Sequence, residues 1–120
     1  MAKNLDISIL LDYYSGMLTE KQREVVEWYY NEDLSLAEIA EHTGITRQGV
    51  RDSIKRAEMQ LFECEQRLGL RVRFEKMQSK LEEITAMALQ IQDDAQRIPG
   101  GHGVYMRAQR IVDITGTIDD

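Results

Sequence analysis

The chain has 120 residues, 42% hydrophobic and 30% charged, a balance that allows one packed unit or a small domain with a helical appendage and argues against wholesale disorder. No apolar run approaches the roughly 20 residues of a bilayer span, and the early residues show no continuous apolar stretch, so neither membrane insertion nor a secretion signal is expected. The formal net charge of -6 weighs against a surface devoted to phosphate backbones, so any nucleic-acid contact has to come from a local cationic patch.

Glycines and the single proline, Pro99, punctuate the chain sparsely. Between them the apolar residues recur at three and four rather than two, which reads as all-α. A first helix is expected over about 5–14, with Leu5, Ile9, Leu10, Tyr13 and Met17 along its apolar side and Gly16 helping to end it. Thr19-Glu20-Lys21-Gln22 is a capping box that opens a second helix. Val25, Val26, Trp28, Tyr29 and Tyr30 supply its apolar side, until Asn31-Glu32-Asp33 interrupts the pattern. Ser35 through Glu38 form a second capping box, and a short helix with Leu36, Ile39 and Ala40 follows. It stops at Gly44, which takes a left-handed turn at low steric cost.

Thr46 is placed to cap a fourth helix. Val50, Ile54, Ala57, Leu61, Cys64 and Leu68 then step by four and three until Gly69 breaks or bends the seam. Phe74, Met77, Leu81, Ile84, Ala88, Ile91, Ala95 and Ile98 repeat the spacing. Two such seams joined by a short break predict long C-terminal helices forming an antiparallel hairpin, a dimer interface, or both. Residues 98–103 read as a loop, and a last helix over about 104–114 would turn Val104, Ala108, Ile111 and Ile114 inward. The expected organisation is a helix-turn-helix domain over 1–68 and a helical extension over 69–120 for dimerisation or partner binding.

The segment from Leu36 to Arg56 carries the strongest signal. Ala40 is small where two helices must cross closely, Gly44 supplies the sharp turn, and Ile39, Ile45 and Val50 can close a miniature core. Thr46, Arg47, Gln48, Arg51 and Lys55 then lie near the outward, N-terminal part of the following helix, where a recognition helix meets base edges and phosphates. Arginine pairs with guanine, glutamine with adenine, and threonine or lysine holds phosphate. The competing reading is a solvated helix face whose cations pair with Asp52 and Glu58. Gly49 inside this helix costs about 1 kcal/mol relative to alanine, unless a close approach requires it.

Other candidates are weaker. Cys64 is the only cysteine, so no internal disulfide or sulfur-rich metal site forms, in keeping with a reducing cytoplasmic setting. His42 and His102 lack paired ligand spacing. Glu82-Glu83 and Asp93-Asp94 are helix neighbours that diverge by about 100°, so neither forms a carboxylate dyad. Gly100-Gly101-His102-Gly103 has neither the preceding strand nor the following Lys-Ser or Lys-Thr of a phosphate loop. Tyr13, Tyr14, Trp28, Tyr29 and Tyr30 read as core, with tyrosine hydroxyls at its edge. No enzyme activity, cofactor or metal is expected.

The run Leu18-Thr19-Glu20-Lys21-Gln22-Arg23-Glu24-Val25, followed by Leu34 to Ala40, resembles the promoter-binding domain of bacterial sigma factors. With Gly44 to Arg51 and the early Ser8-Ile9-Leu10-Leu11-Asp12-Tyr13-Tyr14 run added, the first half of the chain, to about Leu68, is similar to the YlxM family. The resemblance implies an all-helical, dimeric bacterial regulator with a sigma-like helix-turn-helix, linked to the signal recognition particle pathway and its GTPases. It carries DNA or RNA contacts onto Thr46, Arg47, Gln48, Arg51, Lys55 and Arg56 only, and it does not extend to a sigma factor's polymerase-binding domains. Two functions stay open: a nucleic-acid-binding regulator, and a homodimeric adaptor for the targeting GTPases that makes no direct DNA contact.

Overall fold

In a computed structural model, residues 3–118 are described, and among them every regular element is helical, as the periodicity predicts. The helices are α1 (Asp6–Tyr14), α2 (Glu20–Tyr30), α3 (Leu36–Thr43), α4 (Arg47–Leu68), α5 (Leu70–Gln96) and α6 (His102–Gly116), with one 3-10 turn at Ser15–Met17. The chain divides into two compact units, Met1–Arg71 and Val72–Asp120.

In the first unit α4 is the spine on which α1, α2 and α3 pack. Val50, Ile54, Ala57 and Leu61 are fully buried along one stripe of it. Ala57 and Leu61 close a cluster with Ile7, Leu10, Leu11, Tyr14, Leu18 and Val26. Val50 and Ile54 close a second with Val25, Tyr29 and Ile39. The seam therefore runs as predicted over its first four positions, whereas Cys64 is half-buried and Leu68 exposed.

The apolar side of α1 differs from the expected one. Ile7, Leu10, Leu11 and Tyr14 face inward, whereas Leu5, Ile9 and Met17 are exposed. At about 100° per residue the expected stripe passes through Asp6, and burying it would strand a carboxylate. Asp6 instead meets the guanidinium of Arg71 at 3.4 Å. The helix ends in the 3-10 turn rather than through a left-handed Gly16, since the glycines with positive φ are Gly44, Gly69 and Gly100.

The local signals of the helix ends are realised. Both capping boxes form: Thr19 Oγ1 accepts from Gln22 N–H and Gln22 Oε1 from Thr19 N–H, and Ser35 and Glu38 exchange the same pair. Gly44 ends α3 at φ 74°, and Gly69 ends α4 at φ 61°. The break at Gly69 is clasped by side chains. The Tyr14 hydroxyl donates to Glu65 Oε1 and accepts from Leu70 N–H at 3.0 Å, while Arg71 N–H donates to the same Oε1 at 3.0 Å.

In the second unit α5 and α6 run antiparallel. Thr85 and Thr115 hydroxyls meet at 2.6 Å, and Gln92 Nε2 donates to Gln109 Oε1 at 2.8 Å. Between the helices lie Ala88, Gln92, Ala95 and Ala108. The second seam is thus only partly inward: Ala88 and Ala95 are buried and Leu81 half-buried, whereas Phe74, Met77, Ile84, Ile91 and Ile98 are exposed. On α6 only Ala108 of the expected inner set is buried, and Val104, Ile111 and Ile114 are exposed. Small residues and an amide pair mark the contact, and the large side chains fall beside it. α6 also begins earlier than the 98–103 loop allowed. Gly100 makes the left-handed turn at φ 78°, and a Cβ on Gly101 would collide with the Ala95 carbonyl oxygen. His102 and Gly103 are left to open the helix.

Candidate nucleic-acid interface

The α3–turn–α4 segment builds its outer face from the caps upward. Ile39 and Val50 are fully buried, with Ala40 half-buried beside them, which fixes α3 against the start of α4. Ile45 does not join this miniature core and is exposed. It borders a cleft of about 300 Å³ that also takes in Trp28, His42 and Ser53. The exposed His42 ring lies tilted against Trp28, centroids 5.3 Å apart.

Thr46 caps α4, its Oγ1 accepting from Gly49 N–H at 3.0 Å. That bond explains Gly49. A Cβ there would stand 3.2 Å from Thr46 Oγ1 and 3.6 Å from Ile45 Cδ1, so the glycine lets the cap hydroxyl close over the helix. The Thr46 hydroxyl keeps its proton for an outside acceptor. The first N–H groups of the helix have no carbonyl above them within the helix.

Beyond the cap, Arg47, Arg51 and Lys55 follow one another at four-residue intervals, forming one row down the helix. Gln48, Asp52 and Arg56 form the adjacent row. Arg47, Gln48, Lys55 and Arg56 are exposed and Arg51 is half-buried, its Nε enclosed without a hydrogen-bond partner. In the sequence Asp52 and Glu58 stand within ion-pair reach of these cations. Asp52 instead accepts from Gln48 Nε2 at 3.0 Å, and Glu58 accepts from the Tyr30 hydroxyl. Among the described residues none of Arg47, Arg51, Lys55 and Arg56 forms an ion pair.

All six residues singled out from the sequence thus lie at the cap or on the first three turns of one helix. Gln48 is the one whose reading changes, because its amide is shared with Asp52. The four-residue spacing of Gln48 and Asp52 is visible in the chain. Between Thr46 and Arg56 there are four cations and one carboxylate, a cationic stretch on an acidic molecule. No group of three His, Cys, Asp or Glu side chains among the described residues is placed to hold a metal ion.

Two packed helices joined by a tight turn, each opened by a side-chain cap, with a polar, cation-bearing second helix, define a helix-turn-helix protein. Comparison with known families agrees: the family described as "Putative helix-turn-helix protein, YlxM / p13 like" matches residues 1–99. The chain belongs to this family. Among curated relatives, the UPF0122 protein of Clostridium kluyveri is 57% identical over 70 residues, 58% of this chain and 63% of that protein. The UPF0122 protein of Desulforamulus reducens is 49% identical over 78 residues, 65% of this chain and 67% of the relative. That of Halalkalibacterium halodurans is 45% identical over 82 residues, 68% of this chain and 75% of the relative. The match spans less than two thirds of the Clostridium protein's length.

Proposed function

We propose that this chain is a non-enzymatic regulator that binds nucleic acid through Thr46, Arg47, Gln48, Arg51, Lys55 and Arg56, and that it works as a cytoplasmic homodimer. The observation that carries the reading is the row of cations on α4 without ion-pair partners. Arg47, Arg51 and Lys55 are free to meet phosphates along a groove, and the Thr46 hydroxyl can donate to one at the helix start. Gln48 gives one amide N–H to Asp52 and keeps Oε1 and the other N–H for a base edge, a single amide among four cations. The face therefore suits phosphate and shape recognition better than a dense code of base contacts.

The test is binding to duplex DNA and to structured RNA, followed by fluorescence anisotropy across a salt series. Each phosphate neutralised adds about 0.9 to the slope of log K against log salt on duplex DNA. The double variant Arg47→Glu with Arg51→Glu should lower the slope by about 2 and weaken binding at least tenfold. Undiminished binding by that variant removes the face from consideration.

A second reading is favoured by the exposed apolar side chains of α5 and α6. In it the helix-turn-helix is a scaffold, and the long helices hold a protein partner. Regulation in the signal recognition particle pathway, through particle components or the targeting GTPases, is proposed from the YlxM resemblance alone. Recovery of crosslinked partners from lysate, with and without nuclease, separates the two. Nuclease-sensitive recovery supports the first reading, and nuclease-resistant protein partners support the second.

A further inference from the structure

Among the described residues the second unit buries no large apolar side chain. Its interior is Ala88, Gln92, Ala95 and Ala108, while Met77, Ile84 and Ile91 on α5 and Val104, Ile111 and Ile114 on α6 are all exposed. Burying one such side chain contributes about 1.5–3 kcal/mol, and α5 and α6, joined by alanines, a glutamine pair and the Thr85–Thr115 contact, gain little of that between themselves. The exposed residues also share a side. Ile84 and Ile91 sit about a sixth of a turn from the Ala88 line of α5, and Val104 and Ile111 are displaced by the same angle and sense from Ala108 of α6. In an antiparallel pair equal displacements fall on the same flank, so the two helices present one continuous apolar face.

The charges on α5 say what covers that face. From residue 72 to 80 there are three cations, Arg73, Lys76 and Lys80, and one carboxylate, Glu75. From 81 to 96 there are four carboxylates, Glu82, Glu83, Asp93 and Asp94, and no cation. All eight are exposed, but Asp93 meets Arg97 at 2.9 Å. Glu75, Glu82 and Asp93 lie on the side of α5 away from Ile84, which leaves Arg73, Lys76 and Lys80 against Glu83 and Asp94 beside the apolar face. A helix cationic in its first half and anionic in its second is complementary to itself when reversed, and repels itself when parallel.

We infer that the apolar face of α5 and α6 is covered by a second copy of this chain, the two α5 helices crossing antiparallel about a two-fold axis near Ile84, with Arg73 of each opposite the partner's Asp94. This rests on the homodimer reading and gives it a face and a direction. With the axis at Ile84, Met77 lies level with the partner's Ile91 and Leu81 with the partner's Met87. Apolar thus meets apolar along the seam, and the opposite charges flank it.

Cysteine crosslinking in full-length chains tests the pairing. In a Cys64→Ala background, Met77→Cys and Ile91→Cys are prepared separately, mixed, allowed to exchange subunits and mildly oxidised. Both positions are exposed, so the fold tolerates the changes. Antiparallel pairing sets position 77 level with the partner's 91, while the two copies of 77 stand about 21 Å apart along the axis, beyond the roughly 7 Å Cα reach of a disulfide. The mixture should therefore crosslink and each variant alone should not. Self-crosslinking by each variant alone overturns the proposal in favour of parallel pairing. No crosslink in chains that sediment as dimers overturns it too, and leaves a homodimer through another face. Monomers at tens of micromolar overturn the homodimer reading as well. Charge supplies a second readout: Arg73→Glu should weaken the dimer about fivefold, and adding Asp94→Arg should restore it. Parallel helices, or a different protein as occupant, give no loss and no rescue.

Discussion

Replacing Tyr14 by phenylalanine removes one oxygen and leaves the ring in the core, so the change reads the clasp at the α4–α5 break with no cavity to confuse it. Tyr14 is 1% exposed, and its hydroxyl both donates to Glu65 and accepts from Leu70 N–H. A hydrogen bond to a charged group contributes about 1.5–3 kcal/mol, and the Leu70 N–H loses its acceptor as well. Glu65 is half-buried, which discounts the ionic part, so the expected cost is about 2 kcal/mol. Urea unfolding followed by far-ultraviolet circular dichroism should show the midpoint falling by about 1 M at constant slope. The pH dependence adds an independent check. Burial, then the bond to Glu65, hold the Tyr14 phenol above its usual pKa. The folded state thus favours the neutral form, and that contribution is complete below pH about 10 and lost as pH rises through the raised value. Tyr30 is pushed up by the same two causes, burial and its bond to Glu58, so the phenylalanine variant should flatten the alkaline loss without abolishing it. A cost below about 0.5 kcal/mol, or an alkaline limb identical to that of the unaltered chain, would refute the reasoning.

Two further outcomes follow from the caps and the surface. Thr46→Ala frees Gly49 N–H and should cost about 1 kcal/mol by chemical denaturation; Thr46→Ser should recover most of it, and equal losses in both would point away from the cap. Lys3 holds the Asp33 carboxyl below its usual range by hydrogen bond and by charge. Whatever stability the pair contributes is present above the ordinary carboxylate pKa and fades as pH falls through the lowered one. In Lys3→Gln the Asp33 titration followed by nuclear magnetic resonance should move upward, and an unmoved titration would show that the pair does not persist in solution.

What could be read directly from the chain was chemistry closed within a few residues. Thr19 with Gln22, Ser35 with Glu38, and Gly44 after Thr43 each satisfy backbone groups three or four positions away, so the residue types state the geometry. The inner side of α1 was not so legible. Apolar residues occupy most positions from Ile7 to Met17, and only the cost of burying Asp6 selects among the stripes. The α5 repeat was legible as a helix and ambiguous as an interface, since a four-three spacing does not say whether its partner is in the same chain. The cationic row was visible as spacing, but its freedom from ion pairs depended on Tyr30 reaching Glu58 across 28 residues. The Tyr14–Glu65 clasp, 51 residues apart, left no local trace at all.

Three carboxylates near the proposed phosphate-binding row keep their charge but are bonded to groups other than its cations. Glu38 takes the Ser35 N–H, Asp52 the Gln48 amide and Glu58 the Tyr30 hydroxyl. Each of these acids near the helix-turn-helix is held by a neutral donor. Had Asp52 and Glu58 bonded Arg51 and Lys55, a phosphate would first have to displace an internal ion pair, and much of its attraction would go into that exchange. With those acids engaged elsewhere, Arg47 and Lys55 are exposed and Arg51 half-buried, none of them in an ion pair among the described residues, so a phosphate would not have to displace an internal carboxylate. The net charge then acts chiefly at range. At about 0.1 M salt it is screened within roughly 10 Å, a distance comparable to the length of the 47–55 row at about 1.5 Å per residue. An approaching nucleic acid that has reached the row therefore responds to the cations in front of it more than to the acids of the molecule as a whole.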